Sequence, residues 1–555
     1  MSPAVRRPRK LVLGRQCIND LMKTAPGIQS PQEIELKLAL PGADPLTLAR
    51  RLTQIPILAR RKSARLHLHN IYFDTPDSAL RQQRVALRLR RVGDTEKPKW
   101  LQTLKTTGRS DSALSQRGEW ETPLRSANLS LKSLQATPWS DLDPGGKLFR
   151  TLAPVFETSF ERTVWLLRRP GGCVVEVALD IGQIVHGERA TPICELELEL
   201  KAGPAAALFE VANQIAASIA VLPASASKAE RGYALAQGAI HAPMRARPQR
   251  LSTKLPRTEA AQRVMQEMFS QFTGNLNSLL LSDEPELVHQ ARVGWRRFKS
   301  ARHLFAPVLA EQSAPSWQAL LALLTCLGKL RDLDVARMET LPAAADAYIA
   351  ADPRRAEVWQ TMTEALQQAA HLQRKAVRYA LQDPALGTCL LATTQWLEAL
   401  NATNAAEQTV PEPKGSLRRW TKSRIKRLHE QLRLAGENAS EPEQEHRVRI
   451  LAKRMRYSLE ALASLLPGKQ TQAWLLQASQ VQAGLGASRD AMRAATLVAE
   501  LEIDRGLAEF LRGLALGQCA KAPRVTAQSP QPSGRALHAH GCAATRRRPS
   551  SLRIR

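Results

Sequence analysis

PQEIELKLAL, residues 31–40, is the stretch of this sequence that decides the fold. Two glutamates and a lysine, at Glu33, Glu35 and Lys37, alternate in it with aliphatic residues. Alternation with a period of two is typical of a β-strand with one apolar face. Like charges side by side on a strand face cost free energy unless a counter-charge neutralises them. A divalent cation would neutralise the glutamates and a phosphate the lysine, whereas a solvated strand face would need neither. The stretch therefore predicts a strand and leaves open whether its charged face binds a ligand.

The length and charge of the chain indicate more than one domain and a polyanionic partner. A chain of 555 residues is too long for a single hydrophobic core. Lysine and arginine number 79 against 51 acidic residues, which gives a net charge of +28 and a pI near 10.4. Such an excess favours nucleic acid, polyphosphate or an anionic membrane surface as the partner. No apolar run approaches the roughly 20 residues that span a bilayer, so we expect no membrane insertion.

The seven cysteines are scattered and form no CxxC pair. An odd number without metal-ligand spacing argues against a disulfide framework or a zinc site, so we expect a cytoplasmic protein. Both ends of the chain are basic and lack the periodicity of a folded segment. We predict a flexible basic extension over residues 1–30 and a disordered basic tail over residues 516–555. The alternatives are a misassigned start for residues 1–21 and a reading-frame artefact for the tail.

Residues 31–238 are rich in strand patterns. About eight segments with strand periodicity are separated by turns of Gly, Pro and Asp, which predicts an antiparallel barrel or sandwich. Most of these strands carry charge on their second face, as in Arg88-x-Arg90 and Glu195-x-Glu197. If those faces lined a barrel, the buried charges would require counter-charges and ligands. A polyphosphate bound by Arg and Lys, with a divalent metal bound by carboxylates, meets that requirement. An open sheet with solvated charged faces is the alternative.

A set of motifs in this half resembles the CYTH domains, the triphosphate tunnel metalloenzymes. In chain order they are Glu33-x-Glu35-x-Lys37, Tyr72-Phe73-Asp74-Thr75, Arg88-x-Arg90, Lys105, Arg117-x-Glu119-x-Glu121, Glu176-x3-Asp180, Glu195-x-Glu197 and Lys228-x2-Arg231-Gly232-Tyr233. The first motif alone is weak, but the set is specific and covers residues 31–238. The resemblance implies an eight-stranded antiparallel tunnel that hydrolyses inorganic triphosphate, nucleoside triphosphates, RNA 5′-triphosphate ends or thiamine triphosphate. Some members of the family cyclise ATP instead.

The same resemblance implies a role for each charged position. Metal ligands for Mg²⁺ or Mn²⁺ are expected at Glu33, Glu35, Glu195 and Glu197. Phosphate oxygens are expected to bind Lys37, Arg88, Arg90, Lys105, Arg117, Arg162, Lys228 and Arg231, of which Arg162 is the weaker candidate. A second metal or the attacking water is expected at the catalytic carboxylates Glu119, Glu121, Glu176 and Asp180.

The second half of the chain changes to helical spacing. A linker rich in Pro and Arg, placed at residues 239–255, precedes a helical region over residues 256–515. A basic motif occurs twice in this region, as His289-x2-Arg292-x3-Arg296-x2-Lys299 and as His446-x2-Arg449-x3-Lys453-x2-Arg456. Each copy falls on one helix face without an acidic residue between the cations. The repeat predicts two related helical units and a surface for a polyanion, with a solvated basic face as the alternative.

These repeats resemble the CHAD domain, a helical module that often follows a CYTH domain. The resemblance implies that the histidines, arginines and lysines of the two motif copies bind inorganic polyphosphate, although Lys299 stands where an arginine is more usual. It also makes nucleic acid a less favoured partner, which the basic residues alone would not do.

Sequence and resemblance together predict an α+β multidomain protein. An N-terminal eight-stranded antiparallel β-barrel would be followed by an all-α helical bundle with an internal repeat. The expected function is metal-dependent hydrolysis of inorganic triphosphate to pyrophosphate and phosphate, with polyphosphate bound by the helical domain. The alternatives are a polyphosphate-binding or targeting protein with minor turnover, a nucleoside or RNA triphosphatase, and an adenylate cyclase.

Overall fold

The structure is a computed structural model that describes residues 32–93, 98–106, 108, 112–309, 313–406, 416–437, 441–484 and 487–521. The extension predicted over residues 1–30 lies outside the described residues, and so does the predicted tail from residue 522 onwards. The last helix continues to Lys521, so the helical half extends beyond residue 515, where the sequence placed its end.

The N-terminal half is built on one sheet. Its strands are β1 (Gln32–Ala39), β2 (Ser63–Asp74), β3 (Ala86–Val92), β4 (Lys99–Lys105), β5 (Leu114–Leu124), β6 (Ala153–Arg168), β7 (Val174–His186), β8 (Arg189–Ala202) and β9 (Leu222–Pro223). Their order is β5-β4-β3-β2-β6-β7-β8-β1-β9, and β5 also pairs with β1. Because that pairing joins the two ends of the β1–β8 sheet, these strands form a closed antiparallel barrel. The predicted eight-stranded barrel is confirmed, and the sandwich is excluded.

The apolar faces of the strands point outwards, where helices cover them. On one side these are α1 (Pro45–Thr53) and α6 (Ala206–Ala216), whose leucines and valines form one buried cluster with the outer face of β1, β7 and β8. Another part of the outer face is covered by α2 (Ala79–Gln82), α3 (Leu131–Leu134), α4 (Trp139–Leu142) and α5 (Lys147–Arg150), around the buried Trp139. Each fully buried leucine stabilises such a cluster by about 2 kcal/mol. With its apolar sides turned outwards, the barrel presents its charged faces to its own interior.

The helix α7 (Lys228–Ala236) contacts β6, β7 and β8. Its first turn is fixed by a capping box, because the Ser227 side chain accepts from the Glu230 amide and the Glu230 carboxylate accepts from the Ser227 amide. Gly232 is needed for the close approach of this helix, since a Cβ there would lie 2.1 Å from the Phe156 ring.

The C-terminal half is built of helices joined by turns and short coil segments. Its α-helices are α8 (Arg257–Leu279), α9 (Pro285–Phe305), α10 (Leu320–Val335), α11 (Ala345–Ile349), α12 (Pro353–Ala380), α13 (Pro384–Ala406), α14 (Ser416–Glu437), α15 (Pro442–Leu462), α16 (Gly468–Gly484), α17 (Ala487–Glu500) and α18 (Arg505–Lys521). The two motif copies lie on α9 and α15, which contact each other. Each is also packed against the helix before it, α8 for α9 and α14 for α15. The repeated motif therefore belongs to two helix pairs that meet along their second helices.

The two halves of the molecule are in contact. The helix α13 packs on α6 and β9, and its Leu391 is buried in the outer cluster of the barrel. The Asn277 amide of α8 donates to the Pro223 carbonyl oxygen at 2.9 Å. Residues 239–255, predicted as a linker, contain no helix or strand, yet Leu251 is buried and its amide donates to Ser464 Oγ at 3.0 Å. Within the described ranges, no helix has the length and apolar character needed to cross a membrane.

Candidate functional site

The charged strand faces line the inside of the barrel. In the register Glu33 lies opposite Arg117, Lys37 opposite Glu197, and Lys105 opposite Glu119. The same face continues around the barrel through Glu35, Arg88, Arg90, Glu121, Arg162, Glu176, Asp180 and Glu195. Glu35 and Lys37 are only 3% and 4% exposed. A solvated charged face is thereby excluded for β1.

One group of ion pairs joins β1 to β4 and β5. The Arg117 guanidinium lies 2.9 Å from Glu33 and 2.8 Å from Glu35. The Lys105 ammonium lies 2.8 Å from Glu33 and 3.2 Å from Glu119. Both glutamates predicted as metal ligands on β1 are therefore held by basic side chains that were predicted to bind phosphate.

A second group is centred on the Lys228 ammonium, which α7 inserts among the carboxylates of β7 and β8. Its Nζ lies 2.6 Å from Asp180, 2.5 Å from Glu195 and 2.9 Å from Glu197. Arg231, one helical turn further on, lies 2.9 Å from Glu195. The Arg162 side chain donates to Asp180 from two nitrogens, at 2.7 and 2.6 Å, and to Glu197 at 2.5 Å. The weaker sequence candidate Arg162 thus lies at the centre of the site.

A third group lies on β3. The Arg88 guanidinium is 3.2 Å from Glu119, and Arg90 Nε donates to the Asn70 side-chain oxygen at 2.8 Å. Arg90 is also 3.8 Å from Glu121, a looser pair. All eight predicted phosphate ligands therefore lie in or at the barrel interior beside carboxylates.

The ion pairs keep the barrel interior charged. Burial alone would raise the pKa of Glu119, but Lys105 and Arg88 outweigh it and lower that pKa to about 2. Burial likewise opposes ionisation of Glu197, and Lys228 and Arg162 nevertheless hold its pKa well below the ordinary value. Lys37 shows the reverse sign, because Glu35 and Glu197 raise its pKa despite burial. At neutral pH the interior therefore contains fixed charges of both signs.

Glu199 lies in the same interior and pairs with the exposed Lys201, and neither received a role from the sequence. The Lys201 ammonium lies 2.6 Å from Glu199 and 4.0 Å from Glu176. Burial raises the pKa of Glu199 to about 7, with Lys201 opposing the shift and Glu176 and Glu33 adding to it. The alternation of Glu195, Glu197 and Glu199 on one strand was the signal that placed Glu199 on this face.

A divalent metal fits part of this carboxylate set. Asp180, Glu195 and Glu197 each offer an oxygen, and these atoms lie within 4.8 Å of one another. Carboxylate oxygens are the ligands that Mg²⁺ and Mn²⁺ prefer. The structure brings Asp180 into this cluster. Glu35, predicted as a ligand, is linked to it by Lys37, which lies 3.0 Å from Glu35 and 3.6 Å from Glu197, and Glu33 pairs with Lys105 and Arg117. The Lys228 ammonium contacts all three carboxylates, so a metal held by the cluster would compete with it.

The two basic motif copies form a second charged surface, between α9 and α15. Arg292, Arg296, Arg449 and Lys453 are half-buried, and within the described residues none of them forms an ion pair. The Nε atoms of Arg296 and Arg449 are buried and lack a hydrogen-bond partner among those residues. Of the remaining motif positions, Lys299 and His446 are exposed, His289 is half-buried, and Arg456 pairs with Glu460 at 3.4 Å.

Repulsion between the two copies is visible in the pKa values of the lysines. Burial, followed by Arg296 and Arg449, lowers the pKa of Lys453 to about 7. Burial and the neighbouring Arg296 and Arg454 also lower the pKa of Lys299. Since cations from both α9 and α15 contribute, the copies act on each other as one basic surface rather than as two separate solvated faces.

Family models match both halves of the chain. The CYTH domain model matches residues 31–233, and the CHAD domain model matches residues 263–499. The first match contains the whole closed barrel and ends inside α7, and the second contains both basic motif copies.

Similar proteins are known for each half. An inorganic triphosphatase from Haemophilus influenzae is 38% identical over 208 residues, which are 37% of this chain and 55% of the relative. The chain thus spans about half the length of that curated relative. The crystal structure of the CHAD domain from the plant Ricinus communis is 28% identical and covers 51% of this chain and 93% of its own, with a TM-score of 0.43. A Hippeastrum protein described by its dominant triphosphatase activity is 19% identical over 36% of this chain and 95% of its own, with a TM-score of 0.26.

Proposed function

We propose that this chain, whose residues 31–233 form a CYTH domain and whose residues 263–499 form a CHAD domain, hydrolyses inorganic triphosphate inside the barrel with a divalent metal. One observation carries the proposal: each of the eight predicted phosphate ligands forms an ion pair with an interior carboxylate, as in Lys228 with Glu195 and Arg117 with Glu33. A triphosphate and a metal would exchange these pairs, with phosphate oxygens on the cations and the metal on the carboxylates. The interior would stay balanced, which a neutral or cationic ligand would not allow.

The residues divide the chemistry between them. Asp180, Glu195 and Glu197 would hold the metal, which supplies polarisation of a phosphoryl oxygen. The guanidinium forks of Arg88, Arg90, Arg117 and Arg162 would bind phosphate oxygens and offset the charge that develops on the leaving group. Lys37, Lys105, Lys228 and Arg231 would add positive charge along the same path. Glu33 and Glu35 are proposed as further metal ligands once Arg117 and Lys105 turn to the phosphates.

The carboxylates assigned to catalysis differ in what they can do. Glu119, with a pKa of about 2, is a poor proton acceptor and is better suited to orient Arg88 and Lys105. Glu121 and Glu176 remain the proposed groups for orienting the attacking water. Asp180 is completely buried and bound by Arg162 and Lys228, which favours metal binding or positioning over proton transfer.

Phosphate release from tripolyphosphate, ATP and long-chain polyphosphate, each with Mg²⁺ or Mn²⁺, tests the proposal. We expect tripolyphosphate to be the best substrate and Glu35→Ala to lose about 100-fold in kcat/KM, because Arg117 and Lys37 lose their shared partner. Glu188→Ala, on an exposed turn between β7 and β8, is the matched control and should keep wild-type activity. Equal rates on ATP would instead support a nucleotide triphosphatase, and cyclic AMP as the product would support an adenylate cyclase. Full activity in Glu35→Ala would contradict the assignment of the active site to the barrel interior.

We also propose that the basic surface between α9 and α15 binds inorganic polyphosphate. Its half-buried, unpaired cations support this, because a polyanion would relieve their mutual repulsion.

The four described cysteines are unpaired, which supports a reducing, cytoplasmic location.

Binding of a polyphosphate of defined length, measured over a salt series, tests the basic surface. We expect the affinity to fall with salt and to drop about 10-fold or more in the double variant Arg292→Ala/Arg449→Ala. A single-stranded RNA of equal charge serves as the competitor. Unchanged polyphosphate affinity in the double variant would remove this surface from the proposal, and tighter RNA binding would make nucleic acid the partner.

A further inference from the structure

The internal repeat allows one copy of the helix pair to serve as a reference for the other. The motif copies are 157 residues apart (446 − 289 = 157), and the same shift carries the first residue of α9, Pro285, onto the first residue of α15, Pro442. It also carries the last residue of α8 to within one residue of the end of α14. Positions that differ in charge between the copies can therefore be compared directly.

In the first copy one buried arginine is paired with a carboxylate and has a second carboxylate nearby. Arg297 of α9 is only 1% exposed and lies 3.0 Å from Glu267 of α8. Glu460 of α15 pairs with Arg456 at 3.4 Å and is also close enough to Arg297 and Glu267 for both to act on its pKa, which burial raises and Arg456 and Arg297 lower. The first copy thus neutralises its buried arginine within the protein.

In the second copy an arginine and a histidine stand in the places of these two carboxylates. The shift of 157 relates Arg297 to Arg454, Glu267 to Arg424, and His303 to Glu460. Where the first copy has an arginine near two glutamates, the second copy therefore has Arg454 near Arg424 and His303. Among the described residues, neither Arg424 nor Arg454 forms an ion pair.

These three side chains line a cavity of about 220 Å³ between α9, α14 and α15. Its remaining lining includes Arg427 and the hydroxyl-bearing Ser300 and Ser458. Arg424 Nε and Ser458 Oγ are buried and lack a hydrogen-bond partner within the described part of the chain. Buried donors of this kind are normally satisfied, and an anion is the partner that fits donors that are mostly cationic.

We propose that this cavity is a second anion site, which binds one phosphate group in place of the two carboxylates that the first copy carries. The forks of Arg424 and Arg454 would each offer a pair of N–H groups to phosphate oxygens, and the Ser458 hydroxyl would donate a further bond. A cavity of this size suits one or two phosphate groups rather than a length of polymer. The anion could be free orthophosphate or pyrophosphate, such as the proposed barrel reaction releases, or the terminal phosphate of a chain.

The test uses the repeat to design the variant. Arg424→Glu rebuilds the arginine–glutamate pair of the first copy, so we expect it to fold and to bind orthophosphate and pyrophosphate at least 10-fold more weakly than the wild type. Arg419→Glu makes the same charge change at an exposed position of α14 and should stay within twofold. Ser458→Ala, which leaves the charge unchanged, should weaken binding about threefold. Isothermal titration calorimetry on the full chain at constant ionic strength measures the anion affinity of the wild type and the three variants. Any anion binding in the barrel is the same in all four proteins.

The outcomes distinguish a site for a free anion from a site for a chain end. Orthophosphate binding that is lost in Arg424→Glu supports a site for the free anion, whereas an effect only with tripolyphosphate supports a site for a chain end. Equal weakening in Arg424→Glu and Arg419→Glu, or unchanged affinity in Ser458→Ala, would overturn the cavity site. Tripolyphosphate hydrolysis should be unaffected by Arg424→Glu, so failure here is distinguishable from failure of the proposed barrel reaction.

Discussion

Lys228 occupies the place among the carboxylates that a divalent metal would need. Its ammonium lies within 2.9 Å of Asp180, Glu195 and Glu197. We predict that Lys228→Met binds Mn²⁺ about 10-fold more tightly than the wild type while losing tripolyphosphate turnover, because a competitor for the carboxylates and a ligand for the phosphate are removed together. Mn²⁺ titration followed by electron paramagnetic resonance measures the first effect. Lys201→Met, whose ammonium pairs with Glu199, is the matched control, and equal Mn²⁺ affinity in both variants would contradict the competition.

Lys453 should take up a proton when polyphosphate binds. Burial and Arg296 lower its pKa to about 7, so at pH 8 the free protein holds it mostly neutral. A bound polyanion favours the charged form and raises that pKa, and the affinity should therefore fall as the pH rises above 7. Titration calorimetry at pH 8 in buffers of different ionisation enthalpy should show an uptake of up to about one proton. Lys453→Met should lose this uptake and Lys469→Met, an exposed control, should keep it.

Single residues were predictable where their strand fixed the direction of the side chain. Glu33, Glu35, Glu195 and Glu197 follow from alternation, and the structure places all of them inside the barrel. Which cation each glutamate pairs with was not predictable. Glu195 and Glu197, for example, pair with Lys228, which reaches them from a helix about 30 residues further along the chain. Alternation gives the face of a side chain but not its partner.

At the scale of elements, α7 positions two phosphate ligands through its capping box. Ser227→Ala removes the side-chain acceptor for the Glu230 amide and should cost about 1 kcal/mol of stability. Because Lys228 and Arg231 lie in the first turn, we predict that it also raises the KM for tripolyphosphate several-fold. Asp44→Ala removes a comparable cap from α1, on the outer face of the barrel, and should lower stability without changing KM. The same KM in both variants would show that the cap does not position the substrate ligands.

The strands and helices could largely be predicted from the sequence, whereas the closure of the sheet into a barrel could not. Strand periodicity located β1–β8, yet it fits a sandwich as well as a barrel, because both bury one face of every strand. What decides between them is the pairing of β1 with β5, in which Glu33 faces Arg117 across a long separation in sequence. That pairing also turns a row of charged strand faces into an enclosed interior.

For the whole molecule, the contact between the barrel and the helical half was the feature that the sequence did not predict. A Pro- and Arg-rich segment between two domains is typical of an independent linker, but here Leu251 is buried against the helical half. The barrel and the helices also share Leu391, and the α13 backbone comes close to Val221. Such contacts arise from tertiary packing and leave no periodic signal in the chain.

Gly387 makes this contact possible, because a Cβ there would lie 2.5 Å from the Val221 carbonyl oxygen. A backbone atom cannot move aside as a side chain can, so we predict that Gly387→Ala destabilises the protein by about 1–3 kcal/mol and loosens the contact between the halves. Scanning calorimetry should show a lower melting temperature and separate transitions for the barrel and the helices. Gly513→Ala, in α18 with open space around the added carbon, should be neutral or stabilise by up to about 1 kcal/mol through helix propensity alone. Similar unfolding of the two variants would show that the added Cβ at position 387 does not loosen the contact between the halves.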